Sequence, residues 1–455
     1  MADYSPFGGG KFRVYPLVYQ SGNISFTEWM SLLTLCLAPL IAHIAAGIPM
    51  LSYLYERSPR WHERIALYNP TSILWRYSLI ADRRIRAKSW DKKDMAATNA
   101  LFWTSRGWDG SEEMVNLSSP YCTHLPEHTH MTLLSREFLK TVIITLQGTQ
   151  AVVALGMALG GKSASDGFVT YMGVDLIFFP LAYIGLLRLF CAFWLTDEFA
   201  YTSLNSKKPI EEAPTTAKFD DARISLDSLL DNGSADRIHK ETRFLPTSFW
   251  ASKIFRAAYL LPILGLWTIV ILFLIQPGGG KEFTLTSFLV ALFYLVFLSV
   301  SIVLCGYYLA RGRTSTTIPC ISSTWYRCYT GLLIGMVLVI FISACIETRH
   351  TACGKWTSAP FSAGDYSACS NERTPSVIEM DSNKYPAFGL ATINPSRDQN
   401  NETLGEGEFW VRNFTGHCLG LMSNTTVKHV SKSEAVDLEE FEGDEANNYN
   451  LWYNL

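Results

Sequence analysis

Four polar residues that could do chemistry lie inside long apolar stretches of the chain. They are His43, Gln147, Gln150 and Asp175. An ionisable side chain inside a bilayer is a functional candidate, and a histidine can change its charge near neutral pH. If the helices that carry these residues are neighbours, the four side chains line one polar pocket that could handle protons or a small solute. The alternative is that they form hydrogen bonds that hold the helices together.

The rise of an α-helix gives the expected depths of these residues in the membrane. Counted from the outer edge, Asp175 lies about 13 Å deep, and the other three lie about 16 to 21 Å deep. Arg188 lies about 30 Å from that edge, so we expect its side chain to reach the headgroups at the inner interface. It is then too far along the helix to pair with Asp175.

A second cluster contains four residues of the types that bind zinc: Cys122, His124, His128 and His130. Their spacing matches no standard zinc module, and Pro126 would interrupt a helix, so an exposed polar loop is the other interpretation. The glycine runs at 8–10 and 278–280 lack the strand and helix context of a phosphate-binding loop. No nucleophile and base stand in a readable arrangement. We therefore expect a protein that is not an enzyme and has no cofactor.

Six apolar runs are long enough to be the helices that position these residues. About 20 helical residues cross the roughly 30 Å hydrocarbon core of a bilayer. Of the 455 residues, 48% are hydrophobic and only 17% are charged. We predict an all-α membrane protein with six transmembrane helices, at 29–55, 139–160, 168–195, 254–276, 283–310 and 326–346.

Basic residues predict the orientation of these helices. Lys and Arg are dense between Arg57 and Lys93, directly after the first predicted span, and they accumulate on the cytosolic side of membranes. Residues 1–28 and 347–455 are then outside, and the loops 56–138 and 196–253 are cytosolic. The expected partner is the lipid bilayer and not nucleic acid. Homo-oligomerisation stays open, and the sequence does not identify a ligand.

The first cytosolic loop is expected to carry a basic amphipathic helix. Thr71 or Ser72 can cap it, and anionic headgroups would bind the basic stretch from Arg57 to Lys93. This helix either only fixes the topology or acts as a regulated lipid-binding switch.

A second helix is predicted from Asp91 through Phe102, ending before the turn residues Gly107-Trp-Asp-Gly110. The other cytosolic loop, 196–253, has the polar composition of a flexible linker.

The exterior region after the last span carries the signatures of a secreted domain. Three sequons of this region begin at Asn401, Asn413 and Asn424, and a fourth on the predicted outer side begins at Asn23, before the first span. We expect all four to be glycosylated. Four cysteines could pair there as disulfides in three ways, namely Cys345, Cys353, Cys369 and Cys418. We predict a small, mostly β, disulfide-containing ectodomain with an acidic tail.

Three stretches carry a resemblance to other sequences. Tyr68-Asn-Pro-Thr-Ser-Ile-Leu-Trp-Arg-Tyr77, Asp94-Met-Ala-Ala-Thr-Asn-Ala-Leu-Phe102 and Gly107-Trp-Asp-Gly-Ser-Glu112 resemble stretches of uncharacterised multi-span membrane proteins of filamentous ascomycete fungi. The likeness covers most of the chain and contains no motif of known chemistry. It implies a eukaryotic, plasma-membrane setting and transfers no activity, ligand or catalytic residue.

Two functions are favoured by these observations, and an intramembrane enzyme is the third alternative, for which no catalytic pair is evident. The first is a non-enzymatic protein of the plasma membrane, or alternatively of another membrane of the secretory pathway, that senses or organises through its glycosylated ectodomain and relays to the cytosolic loops. The second is a transporter or channel for a small solute, proton or ion, which would use the pocket around Asp175 and His43. No second deep acid and no inverted repeat is visible in the sequence, which argues against transport.

Overall fold

A computed structural model describes residues 13–55, 57–159, 172–202, 243–275, 282–350 and 356–358, together with three short strands further along the chain. The fold is mostly helical. Its α-helices are α1 (Phe26–Gly47), α2 (Trp61–Arg64), α3 (Pro70–Arg86), α4 (Lys92–Asn99), α5 (Met114–Leu117), α6 (Arg136–Leu159), α7 (Phe179–Gly185), α8 (Trp250–Ile275), α9 (Leu285–Ala310) and α10 (Thr324–Glu347). Its strands are β1 (Arg13–Val14), β2 (Met50–Tyr53), β3 (Ala100–Thr104), β4 (Gly107–Asp109), β5 (Cys122–His124), β6 (Ala200–Tyr201), β7 (Glu282–Phe283), β8 (Arg349–His350), β9 (Trp356–Thr357), β10 (Ser376–Glu379), β11 (Glu408–Val411) and β12 (Thr426–His429).

Within the described residues, five helices are long and apolar enough to cross a membrane: α1, α6, α8, α9 and α10. Two of them begin at side-chain caps. Ser25 accepts a hydrogen bond from the Glu28 N–H in a capping box, and Thr284 accepts one from the Ser287 N–H. The five helices overlap five of the six predicted spans and are compatible with a multi-pass membrane protein.

The first predicted span, 29–55, is wrong at its carboxyl end. Helix α1 ends at Gly47, and the chain continues into strand β2. The residue before a proline disfavours helical backbone, and Ile48, which precedes Pro49, is extended with ψ 127°. Gly47 also lies against the side chain of Ile73 in α3, so α1 ends where it meets that helix.

The third predicted span, 168–195, is not one continuous α-helix over its described part. Residues 172–195, which we call the broken segment, consist of the 3-10 turn Val174–Leu176, helix α7, and the 3-10 stretches Leu186–Phe190 and Ala192–Trp194. Pro180 lies in the first turn of α7. Because proline has no N–H to donate, a helix can start there but cannot easily run through it.

The broken segment packs along the helix bundle and contacts both of its ends. At one end the Val174 N–H donates to the hydroxyl of Thr348, directly after α10, at 3.0 Å. At the other end Arg188 donates to the carbonyl of Ala46, near the end of α1, at 2.7 Å. Much of its apolar surface is buried against the surrounding helices.

The two ends of the bundle differ in character. One end of the bundle is formed by the last turns of α1 and α9 and by the first turns of α6, α8 and α10. We call it the basic end, because the arginine-rich residues 57–93 follow α1 in the chain and lie there. At the opposite end, Glu347 accepts a hydrogen bond from the Thr286 N–H at 2.9 Å, and Gln20 donates to the Glu347 carbonyl at 3.3 Å. The residues around Gln20 therefore lie against that end of the bundle.

A three-stranded sheet lies at the basic end. Strand β3 is central, parallel to β2 and antiparallel to β4. The predicted helix from Asp91 through Phe102 is only partly right, since α4 has the expected Asp91 cap but ends at Asn99. The residues that follow pair with β2 instead, a partner that is distant in sequence. Gly107 makes the predicted turn with a φ of 103°, which favours glycine.

The carboxyl-terminal region contributes three short strands that pair antiparallel in the order β11-β10-β12. Asn23 belongs to a 3-10 turn before α1, and Cys345 lies in α10. Other predicted sites and segments lie outside the described residues and stay predictions: Cys353, Cys369, Cys418, Asn401, Asn413, Asn424, the acidic tail and residues 203–242 of the linker.

A test of this packing is the substitution Gly148→Ala in α6. A Cβ there would overlap the side chain of Leu186 and stand 3.0 Å from the carbonyl oxygen of Ala182, so α6 could no longer pack closely on the broken segment. We expect a loss of about 1–3 kcal/mol in unfolding free energy, measured as a lower thermal midpoint in detergent. The control is Gly156→Ala on the same helix, where a Cβ meets nothing within 4 Å. Equal midpoints for the two variants would contradict the packing described.

Candidate functional site

Helix α3 brings charged side chains into the bundle. Asn69 caps it by accepting a hydrogen bond from the Thr71 N–H at 2.9 Å, and Pro70 is its first residue. The sequence predicts an amphipathic helix at the membrane surface, but the side chains from Thr71 to Arg83 are buried on every face. Because α3 packs against α1, α8, α9 and the broken segment, it is a core helix of the basic end.

Hydroxyl groups join the first turn of α3 to two long helices. The Thr71 hydroxyl lies 2.8 Å from that of Ser301 in α9, and the Ser72 hydroxyl lies 2.6 Å from that of Tyr326 in α10. All four side chains are buried. Buried hydroxyls need hydrogen-bond partners, and these pairs provide them across three helices.

At the last turn of α3, the carboxylate of Asp82 lies between two arginines. Arg256 of α8 donates to both carboxylate oxygens, at 2.9 and 2.7 Å, and Arg86 donates at 2.9 Å. Ser252 donates as well, and Arg86 also pairs with Glu112. Burial alone would raise the pKa of Asp82, but the hydrogen bond from Arg256 and the charge of Arg86 lower it overall. We call these five residues the Asp82 network.

Two further arginines of α3 bind backbone carbonyl groups. Arg76 donates to the carbonyls of Gly47 and Asn99 at 3.1 and 3.0 Å. These are the last residues of α1 and α4, where the helix dipole favours a positive charge. Arg83 donates to the carbonyl of Gly110 at 2.6 Å. The arginines of α3 therefore join α1, α4 and the sheet at the basic end to one another.

The prediction that the whole basic stretch binds anionic headgroups is wrong for three of its arginines. Arg76, Arg83 and Arg86 are buried, and their guanidinium groups are bonded inside the protein. The basic residues of this stretch that remain exposed are Arg57, Arg60, Arg64, Lys88, Lys92 and Lys93.

A second buried ion pair joins the broken segment to α6. Arg188 is fully buried and pairs with Glu137; it also donates to the Thr141 hydroxyl at 2.9 Å and to the Tyr77 hydroxyl at 3.3 Å. The prediction that Arg188 reaches toward the headgroups is therefore wrong. Arg188 lies beside the end of α1, where it donates to the Ala46 carbonyl, and protein side chains surround it.

The predicted pocket residues fall into two places. His43 lies near Arg188, with its Nδ1 3.8 Å from the position that a Cβ on Gly185 would take. Asp175 lies beside Gly173, within electrostatic range of Cys36. Since Cys36 and His43 are seven residues apart on α1, the two places are separated by about 10 Å along that helix.

Unpaired atoms mark both places. Within the described residues, the two ring nitrogens of His43 have no hydrogen-bond partner. The Oδ1 atom of Asp175 has none either. All three atoms are buried. On α6, Gln147 is half-buried and Gln150 is exposed on the side of the helix away from the core. The structure therefore does not assemble the four predicted residues into one pocket.

The predicted zinc cluster is not assembled. Within the part of the chain that the structure describes, no three His, Cys, Asp or Glu side chains are grouped to hold a metal. Cys122 and His124 lie in β5, which pairs with β6, and the rings of His128 and His130 stack with centroids 5.3 Å apart. The segment is mostly exposed, as the alternative of a polar loop requires.

Sequence reasoning missed three members of these ion pairs. Arg256 is a charged residue inside the predicted span 254–276, Glu137 stands just before the span 139–160, and Asp82 is the one acid among the arginines of α3. Each was therefore visible as a charge near the predicted cytosolic interface. The pairings are not readable, because Asp82 and Arg256 are 174 residues apart in the chain.

Comparisons with protein-family models, with curated proteins and with solved structures give no match to this chain.

A test of the Asp82 network is a double-mutant cycle of Asp82→Asn and Arg256→Gln. Removing one partner of a buried ion pair costs about 3–5 kcal/mol of unfolding free energy. We expect each single variant to lose stability on that scale and the double variant to lose less than the sum of the two. Thermal and denaturant unfolding in detergent measures this. The control is Glu113→Gln, an exposed acid of the same region; strictly additive effects, or effects as small as the control, would contradict the network.

Proposed function

We propose that this chain is a non-enzymatic multi-pass protein of the cell surface with a sensing or organising role. It holds the cytosolic loop 56–138, which we call the cytosolic module, and an exterior carboxyl-terminal region in a fixed relation. The observation that carries the proposal is the bidentate pair between Asp82 and Arg256. It joins α3, which belongs to the soluble loop, to α8, which is long and apolar enough to span a membrane.

The contacts favour movement of the loop and the bundle as one body. α3 is bonded to α8 by charges and to α9 and α10 by hydroxyls, and its arginines hold the ends of α1 and α4. Most of the buried charges described above are thus used to hold elements together. A shift of the long helices at the opposite end would displace the module, which is what a relay needs.

The proposed arrangement in the membrane has six crossings, with the broken segment as the third. Its ends contact opposite ends of the bundle, which supports a crossing without one continuous helix. The arginine-rich residues favour a cytosolic basic end. Both termini are then exterior, Asn23, Asn401, Asn413 and Asn424 are glycosylation sites, and the plasma membrane of a filamentous ascomycete is the proposed setting.

A transport function is the second candidate, and one observation favours it. Inside the bundle, His43 and Asp175 carry buried polar atoms that have no hydrogen-bond partner in the described part of the chain. Unsatisfied buried groups are costly, and proton carriers use such groups. The separation of the two residues along α1 argues against a single shared binding site.

The experiment compares complementation with flux. In cells of the source organism that lack the protein, we expect the Asp175→Asn variant to restore the wild-type phenotype. We expect the variant that lacks residues 360–455 not to restore it, although both variants reach the cell surface. Deletion of 432–455 alone is the control and should restore it. Proteoliposomes with the full chain should show no proton flux above protein-free vesicles.

The opposite pattern would reject this function. If Asp175→Asn abolished both complementation and a measurable flux while the 360–455 deletion was tolerated, the chain would be a transporter.

A further inference from the structure

An open cavity of about 460 Å³ lies between α8 and α9 at the basic end. Its wall combines two kinds of surface. Lys253 and Arg311 stand at the ends of the helices with the hydroxyls of Thr247 and Ser248, whereas Leu260 and Gly306 lie further along the helices. Leu260 is seven residues after Lys253, or about 10 Å deeper in the bundle. The cavity is polar at the ends of the two helices and apolar further along them.

The charge of this cavity is positive. Its lining residues include no carboxylate. Arg256 belongs to the lining, but its charge is balanced by Asp82. Lys253 and Arg311 have no ion-pair partner among the described residues, and the Arg311 guanidinium stacks on the ring of Tyr307 at 4.5 Å. Two cations are thus left for an anion.

The helix ends reinforce that preference. The cavity lies beside the amino-terminal end of α8, a helix of 26 residues, where the helix dipole attracts anions. At the end of α9, the Leu309 carbonyl is already hydrogen-bonded, because Arg256 donates to it at 2.9 Å. The ring of Tyr307, which is 48% exposed, lies against the guanidinium group of Arg311 at the cavity, and aromatic residues of this kind are enriched at membrane interfaces.

We propose that this cavity binds the phosphate headgroup of an anionic phospholipid from the cytosolic leaflet. The phosphate lies between Lys253 and Arg311, and an acyl chain follows the groove past Gly306 and Leu260. A volume of about 460 Å³ is in the range of small-molecule sites, and basic pockets between membrane helices suit such headgroups. The inference rests on the bilayer crossing in the proposed function and not on the sensing or organising role.

A lipid fits this cavity better than a soluble phosphate does. A free anion would use the polar rim alone and leave the apolar floor exposed to water. The glycine at 306 leaves an open groove, since a Cβ there meets nothing within 4 Å.

The test uses the full chain in neutral detergent and native mass spectrometry with dioleoyl phosphatidic acid, and with dioleoyl phosphatidylcholine as the reference lipid. We expect one phosphatidic acid to be retained in preference to phosphatidylcholine. The double variant Lys253→Gln, Arg311→Gln should lose at least about tenfold in retention. Gly306→Leu, which keeps every charge but fills the groove, should lose retention as well.

Matched variants separate a site from general attraction. Lys92→Gln, Lys93→Gln removes two exposed lysines elsewhere, and Gly265→Leu changes an open glycine of α8 that does not line the cavity. Both should retain phosphatidic acid as the wild type does. Lipid retention is compared between variants whose thermal unfolding midpoint equals that of the wild type.

Two results would overturn the proposal. The first is an equal loss of phosphatidic acid retention in the Lys92, Lys93 variant and in the Lys253, Arg311 variant, together with unchanged retention in Gly306→Leu. This result would mean that the lipid is held by unspecific charge attraction to the protein. Displacement of the lipid by inorganic phosphate at similar concentration would mean a soluble anion as ligand. Neither result would affect the complementation test of the proposed function.

Discussion

A carboxylate inside an apolar helix bundle is stable only where cations and hydrogen-bond donors surround it, and Asp82 meets this condition with Arg86, Arg256 and Ser252. The position of α3 depends on it. Without the carboxylate, two arginines would remain at the core of the basic end with too few acceptors. With it, a helix rich in arginine can replace lipid or water as the neighbour of α8.

The same condition explains the other charges of the bundle. Arg188 is fully buried, and its partner Glu137 comes from the first turn of α6. Arg76 and Arg83 have carbonyl acceptors in place of carboxylates. A buried guanidinium with five donors can be satisfied in either way. Several buried polar atoms of the described residues have no hydrogen-bond partner, among them both ring nitrogens of His43, the Oδ1 atom of Asp175 and the Nε atom of Arg83.

The long helices could be predicted from the sequence because the signal is local: some 20 apolar residues in a row need a bilayer or an interior. The same signal fails for the broken segment, since apolar composition does not distinguish a continuous helix from short segments buried among other helices. Pro180 is the residue in the sequence that indicates a break in this helix. The pattern of charges in α3 predicts an interfacial helix, and the sequence does not reveal its burial because its partners Arg256 and Glu112 come from other parts of the chain.

Hydrogen–deuterium exchange of the protein in lipid nanodiscs tests whether α3 belongs to the core of the bundle. We expect the amides of residues 73–86 to exchange as slowly as those in the middle of α9, and we expect Asp82→Asn to accelerate exchange in α3 more than in α9. Fast exchange of these amides in the wild type, at the rate of an exposed surface helix, would contradict it.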